Sequence, residues 1–418
     1  MRVVHLSTYD ITGGAARAAY RLNSGLQRLG HQSQMFVSSR CSFDRSVITF
    51  APSMDMKERL RRRLRRKVLA RDIGRYRPSR PGGYEPFSDD RTEYRFDLVK
   101  QLPCSDVLNL HWIAGYVDYH SLFTTVPASK PIVWTLHDMN PFTGGCHYDL
   151  DCGRYINHCG ACPQLGSSDK TDLSHQIWRR KERVFSQVRR DRLHMVTPSR
   201  WLAERVKASN ILGGFPLSVI PYGLDIEDFA PRDRRAARNV LGIPQEAKVV
   251  LFVADVTDNM RKGFALLAEA LIRCSNKVAN LFLVSLGHNK PAVHIQTPWL
   301  HVGPINNDRF LSMVYSAADI FTIPSLQDNL PNTVLEAMAC GTPVVGFAVG
   351  GVPDMIREGV NGLLVSASNV PALHVAMVNL LNNAGREDIR ANCRRVAVEE
   401  YSLELQARQY SELYKALI

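Results

Sequence analysis

Two acidic side chains eight positions apart, Asp328 and Glu336, stand in the stretch DNLPNTVLEAMACGTP. The first lies on a Pro-interrupted loop and the second inside an apolar helix pattern that stops at Gly341. A carboxylate between Leu335 and the run Ala-Met-Ala-Cys is drawn partly out of water, so it needs a partner or a ligand. The preceding DIFTIPS reads as a strand and VLEAMACG as a helix, which puts Asp328 to Thr333 at a helix N-terminus. Unpaired main-chain N–H groups and the helix dipole there attract anions such as a diphosphate. About one turn further in, Glu336 can accept hydrogen bonds from a pair of sugar or ribose hydroxyls. For either acid alone, capping and charging the helix is the alternative. The two together, followed by TPVV and a Gly350-Gly351 turn, favour a ligand.

Other residues could join that chemistry. Arg261 and Lys262, in RKGFALLAEAL, offer cations at a helix start, with a solvated helix end as the alternative. The Gly13-Gly14 pair after the first apolar run permits close backbone approach, though most such pairs are simply turns. His137, in WTLHDMNPFTGG, follows a strand pattern and is either a functional imidazole or a satisfied structural one.

A separate cluster is made of sulfur. Cys146, Cys152, Cys159 and Cys162 fall within seventeen residues of GGCHYDLDCGRYINHCGACPQLG and end in a C-G-A-C knuckle. Four thiolates of this kind suit a tetrahedral, closed and therefore structural Zn²⁺. The first gap is wider than usual, and His147 or His158 could replace one sulfur. A pair of disulfides is the alternative, disfavoured by a reducing compartment.

These groups need a scaffold. At 418 residues the chain calls for two domains, and 45% hydrophobic with 22% charged residues is the composition of a soluble globular protein. MRVVHLSTYD runs directly into a strand pattern, and no run of about 18 apolar residues is present. We therefore expect no leader and a cytoplasmic protein. VVHLSTY, the Gly13-Gly14 turn, the helix AARAAYRLNSGLQRLGH and the strand QMFVSS make a βαβ opening. Further strands are expected at 107–112, 131–138, 194–199 and 218–223, then at 248–254, 280–287, 299–303, 319–325, 342–347 and 361–366. Helices fall near 263–273, 307–317, 331–340 and 370–382. Short, continuously apolar strands alternating with helices indicate parallel sheets covered on both faces. The expectation is two doubly wound α/β domains with a cleft between them: 1–214, then 215–395, with PYGLDIEDFAP as the linker, and a terminal helix in 396–418.

The net charge of +12 is concentrated in one place: residues 57–80 hold twelve Lys/Arg against Glu58 and Asp72. Met56, Leu60, Leu64 and Val68 recur every four residues as an apolar stripe. Such a basic amphipathic helix suits an anionic membrane surface, which would make the protein peripheral on the inner face of the cell membrane. The alternatives are a stripe packed on its own domain and a nucleic-acid patch, the latter disfavoured because no aromatics interleave the arginines.

The order P-S-x-x-D-N-x-P-x-x-x-x-E-A-M-A-C-G-T-P-V-V, followed by V-G-G-V-P-D, resembles the donor-site signature of the retaining glycosyltransferase family 4, whose members have the GT-B fold. GGAARAAYRLNSGLQRLGH, PYGLDIEDFAP and RKGFALLAEAL resemble further motifs of that family in the same order. The resemblance implies a nucleotide-sugar donor of UDP, GDP or ADP type and transfer with retained anomeric configuration. The acceptor would be a glycan, lipid-linked, in surface polysaccharide assembly, and no catalytic metal is expected. It implies that Glu336 holds the donor ribose and that Asp328 contacts hydroxyls of the transferred sugar. Arg261 and Lys262 would neutralise the diphosphate, and Asn329, Leu330, Pro331, Asn332 and Thr333 would complete the donor loop with Gly13 and Gly14. His137 would face the reacting sugar, and the terminal helix would return to the first domain. The family's usual acid pair is Glu and Glu, where this chain has Asp328 first. An arginine common after the first strand of the second domain is replaced here by VADVTD, with Arg261 as its substitute. The rival from another class is a non-catalytic, zinc-stabilised binding protein on the same scaffold.

Overall fold

The computed structural model describes the chain apart from Asp258, Ala384, Gly385 and the side chain of Arg386. It divides into two units, Met1–Pro221 with Gln406–Ile418, and Tyr222–Leu405.

In the first unit seven strands form one parallel sheet: β1 Arg2–Tyr9, β2 Gln32–Ser39, β3 Val47–Thr49, β4 Val107–Leu110, β5 Ile132–Thr135, β6 Leu193–Thr197 and β7 Leu217–Val219. Their order is β3-β2-β1-β4-β5-β6-β7, so the chain reverses its winding direction between β1 and β4. Side chains alternate across a strand, and here both faces are apolar. Ile132 and Trp134 of β5 enter one core with Leu108, Leu110 and Met195. Val133 enters the other with Val3, Val107 and Val196. The second face is covered by the helix Gly14–Arg28 through Leu22 and Leu26, and by the terminal helix Leu403–Leu417 through Ala407, Tyr410 and Tyr414. The tyrosines also satisfy the polar residues of the buried strands. Asn109 donates to Tyr414 Oη at 2.6 Å, and Thr135 Oγ1 lies 2.9 Å from Tyr410 Oη.

The second unit repeats the scheme with β8 Lys248–Val253, β9 Leu281–Leu286, β10 Trp299–His301, β11 Ile320–Ile323, β12 Val344–Phe347 and β13 Gly362–Val365. All pairs are parallel, in the order β10-β9-β8-β11-β12-β13, and the reversal falls between β8 and β11. In such sheets ligands bind beyond the carboxyl ends of the strands at the reversal point.

The basic segment is a helix, Met56–Gly74, capped by Asp55, whose carboxylate accepts from the N–H groups of Lys57 and Glu58. Its orientation bears on one of the alternatives left by the sequence. The apolar stripe does not pack on its own unit: Met56, Leu60, Leu64 and Val68 are 79%, 58%, 55% and 53% exposed. The helix is fastened through arginines, with Arg62 paired to Asp97, Arg65 to Asp118 and Arg66 to Glu93. Lys57, Arg59, Arg61, Arg63, Lys67 and Arg71 remain exposed beside the stripe. Among the described residues no helix is long and apolar enough to cross a membrane.

Candidate functional site

In the second unit the loops after β8 and β11 meet at the reversal point. The loop after β8 ends in a short 3-10 turn, Met260–Lys262, whose start is capped by Asn259, and its last two residues are the cations. Lys262 Nζ lies 2.7 Å from Asp328 Oδ2, and Arg261 Nη1 lies 3.3 Å from the same oxygen. Arg261 also donates to the Gln327 carbonyl at 2.6 Å, and the Leu326 N–H to the Arg261 carbonyl at 2.8 Å, so the two loops are laced together. Two glycines make this closeness possible. A Cβ on Gly263 would stand 1.9 Å from the Pro324 carbonyl oxygen, and one on Gly350 would stand 1.7 Å from that of Asp328. Both have positive φ, +71° and +55°, where a side chain is strained in any case.

Asp328 is buried and charged. Burial by itself raises its pKa, but the charges of Lys262 and Arg261, with hydrogen bonds from Lys262 and Ser325, outweigh that and bring it down to about 2. The Asn329 N–H completes its shell at 3.1 Å from Oδ1. Asn329, Leu330 and Pro331 are buried behind it, Pro331 stands at the N-cap of the helix Asn332–Ala339, and Asn332 and Thr333 are partly exposed in its first turn. The resemblance gave Asp328 to sugar hydroxyls and Lys262 to phosphate, but here the two groups are each other's partners. The carboxylate holds both cations at the mouth of the loop pair, leaving one excess positive charge there. Asp258, the end of VADVTD, lies outside the described residues.

Glu336 is also buried, one turn into the helix, and Tyr315 Oη donates to its Oε2 at 2.9 Å. Tyr315 belongs to the helix Asp308–Ala317 and is fixed in turn by Thr342, whose hydroxyl bonds the Tyr315 carbonyl at 2.8 Å. This is a partner that sequence reasoning missed, twenty-one positions away.

In the first unit Gly13 stands at the N-cap of the helix Gly14–Arg28 at φ 84° and makes no side-chain cap bond. His137 lies two residues beyond β5 and ends a buried row of imidazoles. Ser33 donates its hydroxyl to Asn23 Oδ1 at 2.8 Å, so its oxygen accepts from His5 Nε2, 3.1 Å away. His5 Nδ1 must then accept from His111 Nε2 at 2.9 Å, and His111 Nδ1 from His137 Nε2 at 3.0 Å. The network thereby assigns the His137 proton to Nε2 and makes Nδ1 its acceptor nitrogen. Burial keeps the row neutral: the His5 pKa falls to about 3, His137 to about 4, and His111 drops well below the ordinary value. Beside it, Asp138 accepts from Trp112 Nε1 at 2.9 Å and sits 2.6 Å from His147 Nδ1, while His147 Nε2 bonds Ser88 at 2.8 Å. Both nitrogens of His147 are thus engaged in this network, so it does not stand in for a cysteine. His5, His111 and Asp138 were not singled out from sequence, because one histidine per strand carries no spacing signal.

Residues 247–383 match the family described as Glycosyl transferases group 1. The second unit carries a group 1 glycosyl transferase pattern. Among relatives, a D-inositol 3-phosphate glycosyltransferase of Mycobacterium leprae (strain Br4923) is 34% identical over 190 residues, covering 44% of this chain and 44% of that protein. A protein of the same name from Geodermatophilus obscurus is 32% identical over 209 residues, 43% of each chain. The matches thus span less than half the length of these curated relatives. The fold extends over the whole chain. Sucrose-phosphate synthase from Thermosynechococcus elongatus superposes with a TM-score of 0.67 at 18% identity, over 100% of this chain and 99% of the other. Anabaena HepE in complex with UDP-glucose gives 0.64 at 15% identity, over 100% of both. The architecture is GT-B, with two parallel-sheet Rossmann-like domains.

Proposed function

We propose that the protein is a retaining glycosyltransferase that moves a sugar from a nucleoside diphosphate donor to a lipid-linked glycan acceptor. The observation that carries the donor half is the meeting of Lys262, Arg261 and Asp328 where the loops after β8 and β11 converge. The leaving nucleoside diphosphate gains negative charge as the glycosidic bond breaks, and fixed cations in a water-poor site offset that charge most strongly. Asp328 holds the pair in place before the donor arrives, so little side-chain ordering remains to be done on binding. Glu336, oriented by Tyr315, is read as the acceptor of ribose hydroxyl hydrogen bonds. His137, with Nδ1 as its acceptor nitrogen, is read as the partner of a hydroxyl of the transferred sugar. The GT-B likeness to HepE, solved with UDP-glucose, supports a nucleotide-sugar donor in general and leaves base and sugar to experiment.

The acceptor half rests on the helix Met56–Gly74. Its exposed Met56, Leu60, Leu64 and Val68, bordered by exposed Lys and Arg, match an anionic lipid surface in both apolar and charge terms. We read the protein as peripheral on the cytoplasmic face of a membrane, meeting an acceptor carried by lipid. The curated relatives are named for D-inositol 3-phosphate, so inositol phosphate belongs in the assay beside the lipid-linked glycan. A panel of UDP-, GDP- and ADP-sugars is screened first by thermal shift, since a ligand of the native state raises its stability. The stabilising donors are then tested for transfer to lipid-linked glycan and to inositol phosphate. Donor binding without transfer to either acceptor would favour the rival reading of a non-catalytic binding protein.

A further inference from the structure

The long connection from β5 to the helix Leu173–Phe185 contains only three short 3-10 turns, Asn140–Phe142, Arg154–Ile156 and Pro163–Leu165. A connection this long without regular structure is unusual in a compact domain and needs some other means of holding its shape. It begins at the candidate residue His137. At its centre Cys146, Cys152, Cys159 and Cys162 all line one cavity of about 20 Å³, together with Phe87, Asp149 and Tyr155. All nine cysteines of the chain are free thiols.

We propose that these four cysteines hold a single structural Zn²⁺. The cavity has room for a body of about one water molecule's size, which suits a lone ion and not a multi-atom iron–sulfur cluster. The surroundings supply what thiolates need. The Gly144 N–H points at Cys159 Sγ at 3.2 Å. N–H donors of this kind orient metal-bound sulfur and offset its charge. The fully buried Lys181 lies within electrostatic reach of Cys146 and Cys159 and spends its own hydrogen bonds on the carbonyls of Asn140 and Thr143. A Zn(Cys)₄ centre carries two negative charges, and a buried ammonium beside it is the complement. Among the described residues no group of three or more His, Cys, Asp or Glu side chains stands arranged to hold a metal ion. Binding would draw the four sulfurs inward from the walls of the cavity they share, releasing their protons. Four thiolate ligands leave no open position, so the ion fastens the loop and takes no part in transfer.

The test uses the full chain purified without chelator. Elemental analysis is expected to find about one zinc per chain, and Cys159→Ser with Cys162→Ser to abolish it, while Cys274→Ser, a buried thiol of the other unit, leaves it unchanged. Because the double variant could fail to fold, Co²⁺ is exchanged into the wild-type chain, where tetrahedral thiolate coordination gives intense visible and near-ultraviolet bands. Removing the metal should increase hydrogen exchange in peptides from residues 138–165 before the strands open. Iron in place of zinc, two intramolecular disulfides found by mass spectrometry, or a metal-free chain that takes up neither Zn²⁺ nor Co²⁺ would each overturn the proposal.

Discussion

Replacing Asp328 by Asn keeps the shape of the side chain and removes its charge from between Arg261 and Lys262. In the fold its pKa stands at about 2 against an ordinary 3.8. A difference near 2 pK units is worth about 2–3 kcal/mol of folding stability at neutral pH. The sign follows from the direction of the shift. As pH falls, the unfolded chain takes up this proton first, near pH 4, and the folded chain only near pH 2, so the stabilisation is complete above that interval and is lost across it. The Asn variant should therefore be about 2–3 kcal/mol less stable than wild type at pH 7, with the gap closing between pH 4 and pH 2. Hydrogen exchange resolved by peptide across a urea series isolates the opening of the second unit from that of the first. Equal destabilisation at pH 7 and pH 3 would mean that the carboxylate acts through shape alone, and the electrostatic account would be wrong. Nucleoside diphosphate binding offers a second readout. It should weaken in this variant, because Lys262 and Arg261 are no longer held in place before the ligand arrives.

Lys262→Ala should lower turnover by about two to three orders of magnitude in a steady-state transfer assay, as expected for a donor aimed at developing charge, with the fold intact by circular dichroism. Tyr315→Phe removes the bond to Glu336 and should cost about 1.5–3 kcal/mol in stability and raise the donor KM; an unchanged KM would detach Glu336 from the donor. Leu60, Leu64 and Val68 replaced together by Ser should reduce binding to anionic vesicles by at least about a hundredfold, given about 1.5–3 kcal/mol per inserted side chain, without altering the melting temperature. Vesicle binding that survives would reject the lipid-facing stripe. The buried imidazoles predict acid lability of the first unit. His137 shifted from 6.5 to about 4 contributes stability that is full above pH 6.5 and is lost towards pH 4, about 3 kcal/mol in all, and His137→Gln should flatten that part of the stability–pH curve.

The strands were readable because each is a continuous apolar run closed by Gly, Pro or a polar residue, which is what burial on both faces of a parallel sheet demands. β3 escaped notice, since three residues at a sheet edge make too short a run. The loop carrying Asp328 and Glu336 was readable as local pattern. Its electrostatic content was not, because Lys262 and Asp328 are 66 positions apart and only the strand order brings their loops together. The basic helix shows the limit of periodicity. The every-fourth-residue stripe located the helix but could not say which side faces inward, since the deciding partners, Glu93, Asp97 and Asp118, come later in the chain. The imidazole row was hidden for the same reason, its members lying on three different strands or their ends.

The terminal helix has a consequence for the order in which the protein comes into being. The sheet of the first unit is made from residues that leave the ribosome before the second unit, yet Tyr410 and Tyr414, which seal one face of that sheet and satisfy Thr135 and Asn109, are synthesised only after it. Until then Val3, Val107, Val133 and Val196 lack part of their cover, and two polar side chains in the buried strands lack their tyrosine partners. The second unit, Tyr222–Leu405, is fully translated before that cover arrives. The first unit is therefore begun before the second and completed after it, and nascent chains stalled between the last strand of the first sheet and residue 410 should expose an unsealed apolar face that recruits chaperones.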